Sequence, residues 1–273
     1  MRYIKLTLEY IKSRHFRAPA LICILPAIAL AFLKSFSTTA SFFVHFKEES
    51  GGSFAEIFRL SARFGPISIL RGAASILLIS VVSAYLVGIL IRHMRTGRQD
   101  LTKVFSRINE NFLSVFWLVL VGAILIILFG LLNSTFVFLW SKVAKSATWL
   151  VALLSWLTMA GLFFVLIAAF SYMTLWVPVM AITGQPIRAS LSTSIRETKN
   201  HGFFSFFWAI VLPLIPAFAI EYLTSFARIA ALTVLGDFVF YYILLCYDPV
   251  LTVSAYFDVF GLDREDLVRA NRM

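Results

Sequence analysis

The chain has 273 residues, 60% of them hydrophobic and only 14% charged, with 28 Phe. A soluble domain carries about 25% charged residues to cover its surface; here that cover is missing, and several apolar runs reach the ~20 residues that span a bilayer as a helix. The alternating ten-residue segments of a β-barrel do not occur, and the formal charge of +10 reads as Lys and Arg facing anionic lipid rather than as a nucleic-acid surface.

The pattern predicts an all-α polytopic membrane protein, a single domain over 1–273, with six transmembrane helices. Residues 1–16 read as an amphipathic interfacial helix, with Ile4, Leu8 and Ile11 on one face and Arg2, Lys5, Glu9 and Lys12 opposite. A signal-peptide reading of this stretch, with STTA as the cleavage site, is less favoured, because the n-region is long and Lys34 intervenes. The first span is about 18–33, and a short surface helix is expected at 54–64, capped by Ser53 and Glu56 and stopped at Gly65-Pro66. Further spans lie at about 66–91, 112–132, 149–177, 203–221 and 236–257. Apolar character in the fourth runs on to Ile182, too far for a ~30 Å core, so this helix must tilt, project, or break near Pro178.

Six spans put both termini on one side. The segments on that side carry sixteen Lys and Arg (five in 1–17, five in 92–111, three in 183–202, three in the tail), against seven opposite (four, two and one). The excess orients both termini to the cytoplasm, in a cytoplasmic (inner) membrane with anionic lipid at that face.

The stretch FLSVFW at 112–117 returns as FFSFFW at 203–208, each time after a polar segment that begins with Thr-Gly, at Thr96-Gly97 and Thr183-Gly184. Between them lie two short amphipathic segments. Leu101, Val104, Phe105, Ile108 and Phe112 form the apolar stripe of the first, and Ile187, Leu191 and Ile195 that of the second. The order predicts a parallel internal repeat of helix hairpins, about 66–132 and 149–221, and makes these stripes candidate partner contacts.

Within the apolar spans, ionisable residues are the first functional candidates, since each is costly unless paired or hydrated. Arg71, Glu221 and Asp237 all fall towards the outer face, where they would form a charge-paired latch, line a polar mouth, or snorkel to the headgroups. Asp248 lies deeper, beside Pro249, which frees a backbone carbonyl; it is either an ion or proton site or a structural carboxylate bonded to a neighbouring helix. Ser80, Ala84 and Gly88 form a small-residue seam on the second span. Cys23 and Cys246 read as small buried hydrophobes, and His15, His93 and His201 as headgroup-level histidines without a fixed carboxylate partner. Neither a metalloprotease, a phosphate-loop nor a serine-hydrolase motif is present, so no catalytic residue, metal or cofactor is expected.

The segments TGQPIRASLSTSIRETKNHGFFSFFWAIVLPLIP and DPVLTVSAYFDV resemble a broad group of bacterial six-helix membrane proteins of unknown function, including the membrane domain fused to some glycerophosphodiester phosphodiesterases. The resemblance covers under a fifth of the chain and implies a fold without established chemistry. Three readings remain, in this order. The first is a non-catalytic scaffold or accessory subunit bound to another membrane protein. The second is the permease subunit of an ATP-driven (ABC-type) transporter, with residues 100–111 meeting a cytoplasmic ATPase. The third is a membrane-embedded enzyme using Asp248, Glu221 or a histidine.

Overall fold

The computed structural model describes residues 2–33, 54, 66–98, 103–143, 148–226 and 230–266. Among them all regular structure is helical. The helices are α1 (Arg2–Lys12), α2 (Arg17–Leu33), α3 (Pro66–Thr96), α4 (Val104–Val143), α5 (Thr148–Met173), α6 (Trp176–Thr183), α7 (Ile187–Asn200), α8 (Phe203–Phe226) and α9 (Ala230–Val259), with a 3-10 turn at Arg14–Phe16. Five segments are long and apolar enough to cross a membrane: Arg14–Leu33, Ile69–Thr96, Val104–Val143, Leu153–Thr183 and Ala231–Val259. Ile187–Asn200 with Phe203–Ala217 adds a sixth if that pair, bent by 98°, counts as one span. This is the composition of a multi-pass membrane protein. Of the surface helix expected at 54–64, all but Phe54 lies outside the described residues.

The last helix is the axis of the bundle: α9 packs against α1, α2, α3, α6 and α8. The remaining spans ring it, α2 on α3, α3 on α4, α4 on α5 and α5 on α8. Close approach is set by small residues. Ser80 and Ala84 are fully buried on α3, and a Cβ added at Gly88 would come within 2.9 Å of the Asn111 amide nitrogen and 3.2 Å of Arg107 Cβ. Gly88, the last residue of the seam expected on the second span, is therefore where α4 docks. Several buried hydroxyls are satisfied by their own helix, as where Ser80 Oγ donates to the Ile76 carbonyl (2.7 Å), Ser134 Oγ to Gly130 (2.7 Å) and Ser171 Oγ to Ile167 (2.8 Å). That back-bonding lets Ser and Thr sit where water is absent.

The fourth span does break. α5 ends at Met173 and α6 starts at Trp176, with Pro178 in its first turn. Proline there has no N–H to give the Thr174 carbonyl, and a first-turn position tolerates it. Both Thr-Gly pairs end a helix in the same way. Thr96 Oγ1 donates to the Arg92 carbonyl (2.9 Å) and accepts from the Arg98 N–H (3.3 Å); Thr183 Oγ1 donates to Val179 (2.6 Å) and accepts from Gln185 (3.3 Å). Gly97 and Gly184 then turn left-handed, at φ 62° and 67°, the conformation only glycine enters freely at a helix end.

Beyond the two caps the chain takes different courses. Residues 104–111 are not a separate helix; they are the first two turns of α4, which runs 40 residues without interruption. The second segment is the separate α7, parted from α8 at Gly202 by a left-handed φ of 93°. Asn111, which precedes FLSVFW as Gly202 precedes FFSFFW, lies inside α4.

Candidate functional site

A dense polar constellation lies at the end of the bundle where α1, the close of α3 and the chain after α9 meet. On α1, Tyr3, Thr7 and Tyr10 are the buried residues, spaced one turn apart; Ile4 and Ile11 are half-buried and Leu8 is exposed. Tyr3 stacks on Phe206 with centroids 4.4 Å apart. The Tyr10 hydroxyl meets His93 Nδ1 at 2.7 Å, and the His15 ring lies 4.7 Å from that of His93. Past α9, Arg264 grips Asp266 through two bonds, Nε to Oδ1 at 3.2 Å and Nη2 to Oδ2 at 2.8 Å, while its guanidinium stands 5.9 Å from the Tyr10 ring. Asp266, His15 and Arg264 are the ionisable neighbours of His93, and Arg2 on α1 pairs with Asp258 near the end of α9.

Burial raises the Tyr3 hydroxyl from its ordinary 10.0 to about 12, with the Asp258 carboxylate adding to the effect. Burial also pushes Tyr10 upward, helped by Asp266. Both phenols stay neutral donors across the physiological range. His93, only 1% exposed, is enclosed by the protein rather than open to its surroundings. Its partners come from three segments that no sequence spacing connects, although the one-turn rhythm of Tyr3, Thr7 and Tyr10 was a readable sign of an inward face.

The intramembrane candidates differ in their surroundings. Arg71 is exposed on α3, as snorkelling requires. Asp237 is 0% exposed, which rules out snorkelling for this carboxylate. The Glu221 side chain lies outside the described residues. Asp248 is half-buried in α9 and makes no hydrogen bond or ion pair among the described residues; its neighbour Tyr247 instead ties α9 to α8, donating to the Ala209 carbonyl at 2.8 Å. Cys23 and Cys246 are free and buried and are neighbours across the α2–α9 contact. Among the described residues, no three His, Cys, Asp or Glu side chains come together as a metal site would require.

The candidate partner-contact stripes face outward. Leu101 lies outside the described residues; Val104 is exposed and Phe105 is 88% exposed, with Ile108 half-buried. The inward face of this stretch carries Arg107, Asn111 and Ser114 instead. On α7 the buried residues are Ser190, Ser194 and Thr198. Trp176 Nε1 donates to Ser190 Oγ (3.1 Å) and to the Ile187 carbonyl (3.2 Å), and Ser194 Oγ donates to the Tyr172 carbonyl (2.7 Å). Small polar residues thus seal α7 to α5 and α6, leaving Ile187 exposed and Leu191 and Ile195 half-buried on the outer side. Comparison with known proteins adds nothing to this geometry: no protein family, curated protein or solved structure matches the chain.

Proposed function

We propose that this is a non-catalytic integral membrane protein, a scaffold or accessory subunit of a membrane complex, seated in the cytoplasmic membrane with both termini inside. The observation that carries the reading is how unevenly the spans are covered. The spanning windows of α3 and α9 are 56% and 61% buried, whereas those of α4 and α5 are 17% and 11% buried. Two whole spans thus form an open flank. On α5 this flank includes Leu157, Ala160, Gly161 and Phe164, all exposed, and a Cβ at Gly161 would touch nothing within 4 Å. A glycine notch between large side chains on a lipid-facing helix suits the close approach of another membrane helix.

The matching Thr-Gly caps support reading 66–132 and 149–221 as a parallel repeat, with its axis along the membrane normal. The charge count supports the sidedness, and it puts α1 at the inner interface. A permease subunit is less well supported, because residues 104–111 continue into α4 instead of forming a transverse helix for an ATPase to grip.

The test is purification of the tagged protein from its membrane in mild detergent, with its companions identified by mass spectrometry. A stoichiometric membrane protein is expected, and Gly161→Trp, which fills only outside space, should abolish its recovery. Isolation of the chain alone from both variants would sink the reading, and recovery of an ATPase would replace it with the permease.

A further inference from the structure

The outer face of α7 carries two stripes side by side. One is apolar, Ile187, Leu191 and Ile195. The other is Arg188, Ser192 and Arg196, each one turn from the next, with Lys199 beyond. Together these side chains line a shallow hollow of about 440 Å³, bounded by Arg188, Leu191, Ser192, Ile195, Arg196 and Lys199. The charge on this face is unbalanced. Arg196 Nε reaches Glu197 at 2.9 Å, but that carboxylate also stands 3.7 Å from His201 Nδ1. Neither Arg188 nor Lys199 makes an ion pair among the described residues.

From this we infer that the outer face of α7 binds an anionic phospholipid, its phosphate over Ser192 between Arg188 and Arg196 and its acyl chain along Leu191 and Ile195. Planar guanidinium groups suit phosphate oxygens, and a serine hydroxyl between them supplies a further donor. The 98° turn at Gly202 sets α7 across the line of α8, so that if α8 crosses the bilayer, α7 lies near its surface, where apolar and cationic stripes meet acyl chains and headgroups respectively. Two further segments at the same end of the bundle share this arrangement. α1 turns Leu8 outward beside Lys5 and Lys12, and α4 begins with exposed Val104 and Phe105 beside Lys103. Lipid is the one occupant that serves all three at one level.

The experiment titrates the detergent-purified full chain with phosphatidylglycerol and, separately, phosphatidylcholine, counting bound lipid by native mass spectrometry. Phosphatidylglycerol should bind preferentially, and Arg188→Ala/Arg196→Ala should weaken it roughly thirty-fold, while phosphatidylcholine is unaffected. The pair Arg95→Ala/Arg98→Ala removes the same charge at the same end, away from α7, and should leave the preference intact. Equal binding of the two lipids overturns the inference, as does an equal effect of the two double variants. Displacement of the lipid by inorganic phosphate alone would mean a free-anion site. A stoichiometric protein lost with the two α7 arginines would mean a protein interface. The titration needs no partner, so it is decided independently of the scaffold reading.

Discussion

At the scale of single residues, the attachment of α1 rests on phenols that must stay protonated. Tyr3 is buried against Phe206 with Asp258 close by, and its pKa rises from 10.0 to about 12. A group whose pKa is raised in the folded state contributes stability that is complete below its unfolded pKa and is lost as the pH climbs through the folded value. The window is therefore pH 10 to 12. At ~1.4 kcal/mol per unit, the upper bound is roughly 3 kcal/mol. The exposed partner Arg2 offsets little of this, because surface ion pairs are weak. Amide exchange in residues 2–12 should accelerate across that window, and Tyr3→Phe, which has no proton to lose, should shift the acceleration to higher pH. Identical profiles for the two proteins would show that Tyr3 ionisation does not control docking.

At the scale of elements, the helix core was legible in sequence and the helix ends were not. The predicted 112–132 span lies inside α4, which runs from Val104 to Val143. Apolarity stops where the bilayer does, but the backbone ladder continues through Arg107 and Asn111 because they find packing against Gly88. The direction of each amphipathic face was also hidden. In water an apolar stripe points inward; here Ser190, Ser194 and Thr198 are inside and Ile187 is outside. α7 is parted from α8 at Gly202, whose φ is 93°. Gly202→Ala should destabilise the protein by roughly 1–2 kcal/mol, since an L side chain is strained there, and should loosen residues 187–200 more than the rest in hydrogen exchange. A uniform loss of protection would instead mean that the bend is not a local device.

At the scale of the whole molecule, five of the six predicted spans could be read from apolar run lengths, because bilayer thickness sets them; the sixth counts only as the bent pair Ile187–Asn200 with Phe203–Ala217. The cluster of Tyr10, His15, His93 and Asp266 could not, because its members share no periodicity and are joined only by the packing of α1 and the chain end onto α9. Three of the four segments predicted on the side of the termini nonetheless meet in that packing, since Arg2 pairs with Asp258 and Tyr10 bonds His93. The bundle is consequently polar and cationic at one end, and the positive-inside rule then makes a statement about the molecule rather than about loops. The sidedness is open to direct measurement. In a Cys23→Ser/Cys246→Ser background, Lys5→Cys and Lys199→Cys mark the basic end and Lys142→Cys the other; all three lysines are exposed. In sealed right-side-out vesicles, a membrane-impermeant maleimide should label position 142 at once and reach 5 and 199 only after the vesicles are opened. Labelling of 199 from outside would invert the bundle and move the α7 lipid face to the opposite leaflet. Labelling of 5 and 199 from different sides would break the alternation of spans itself, and with it the parallel repeat.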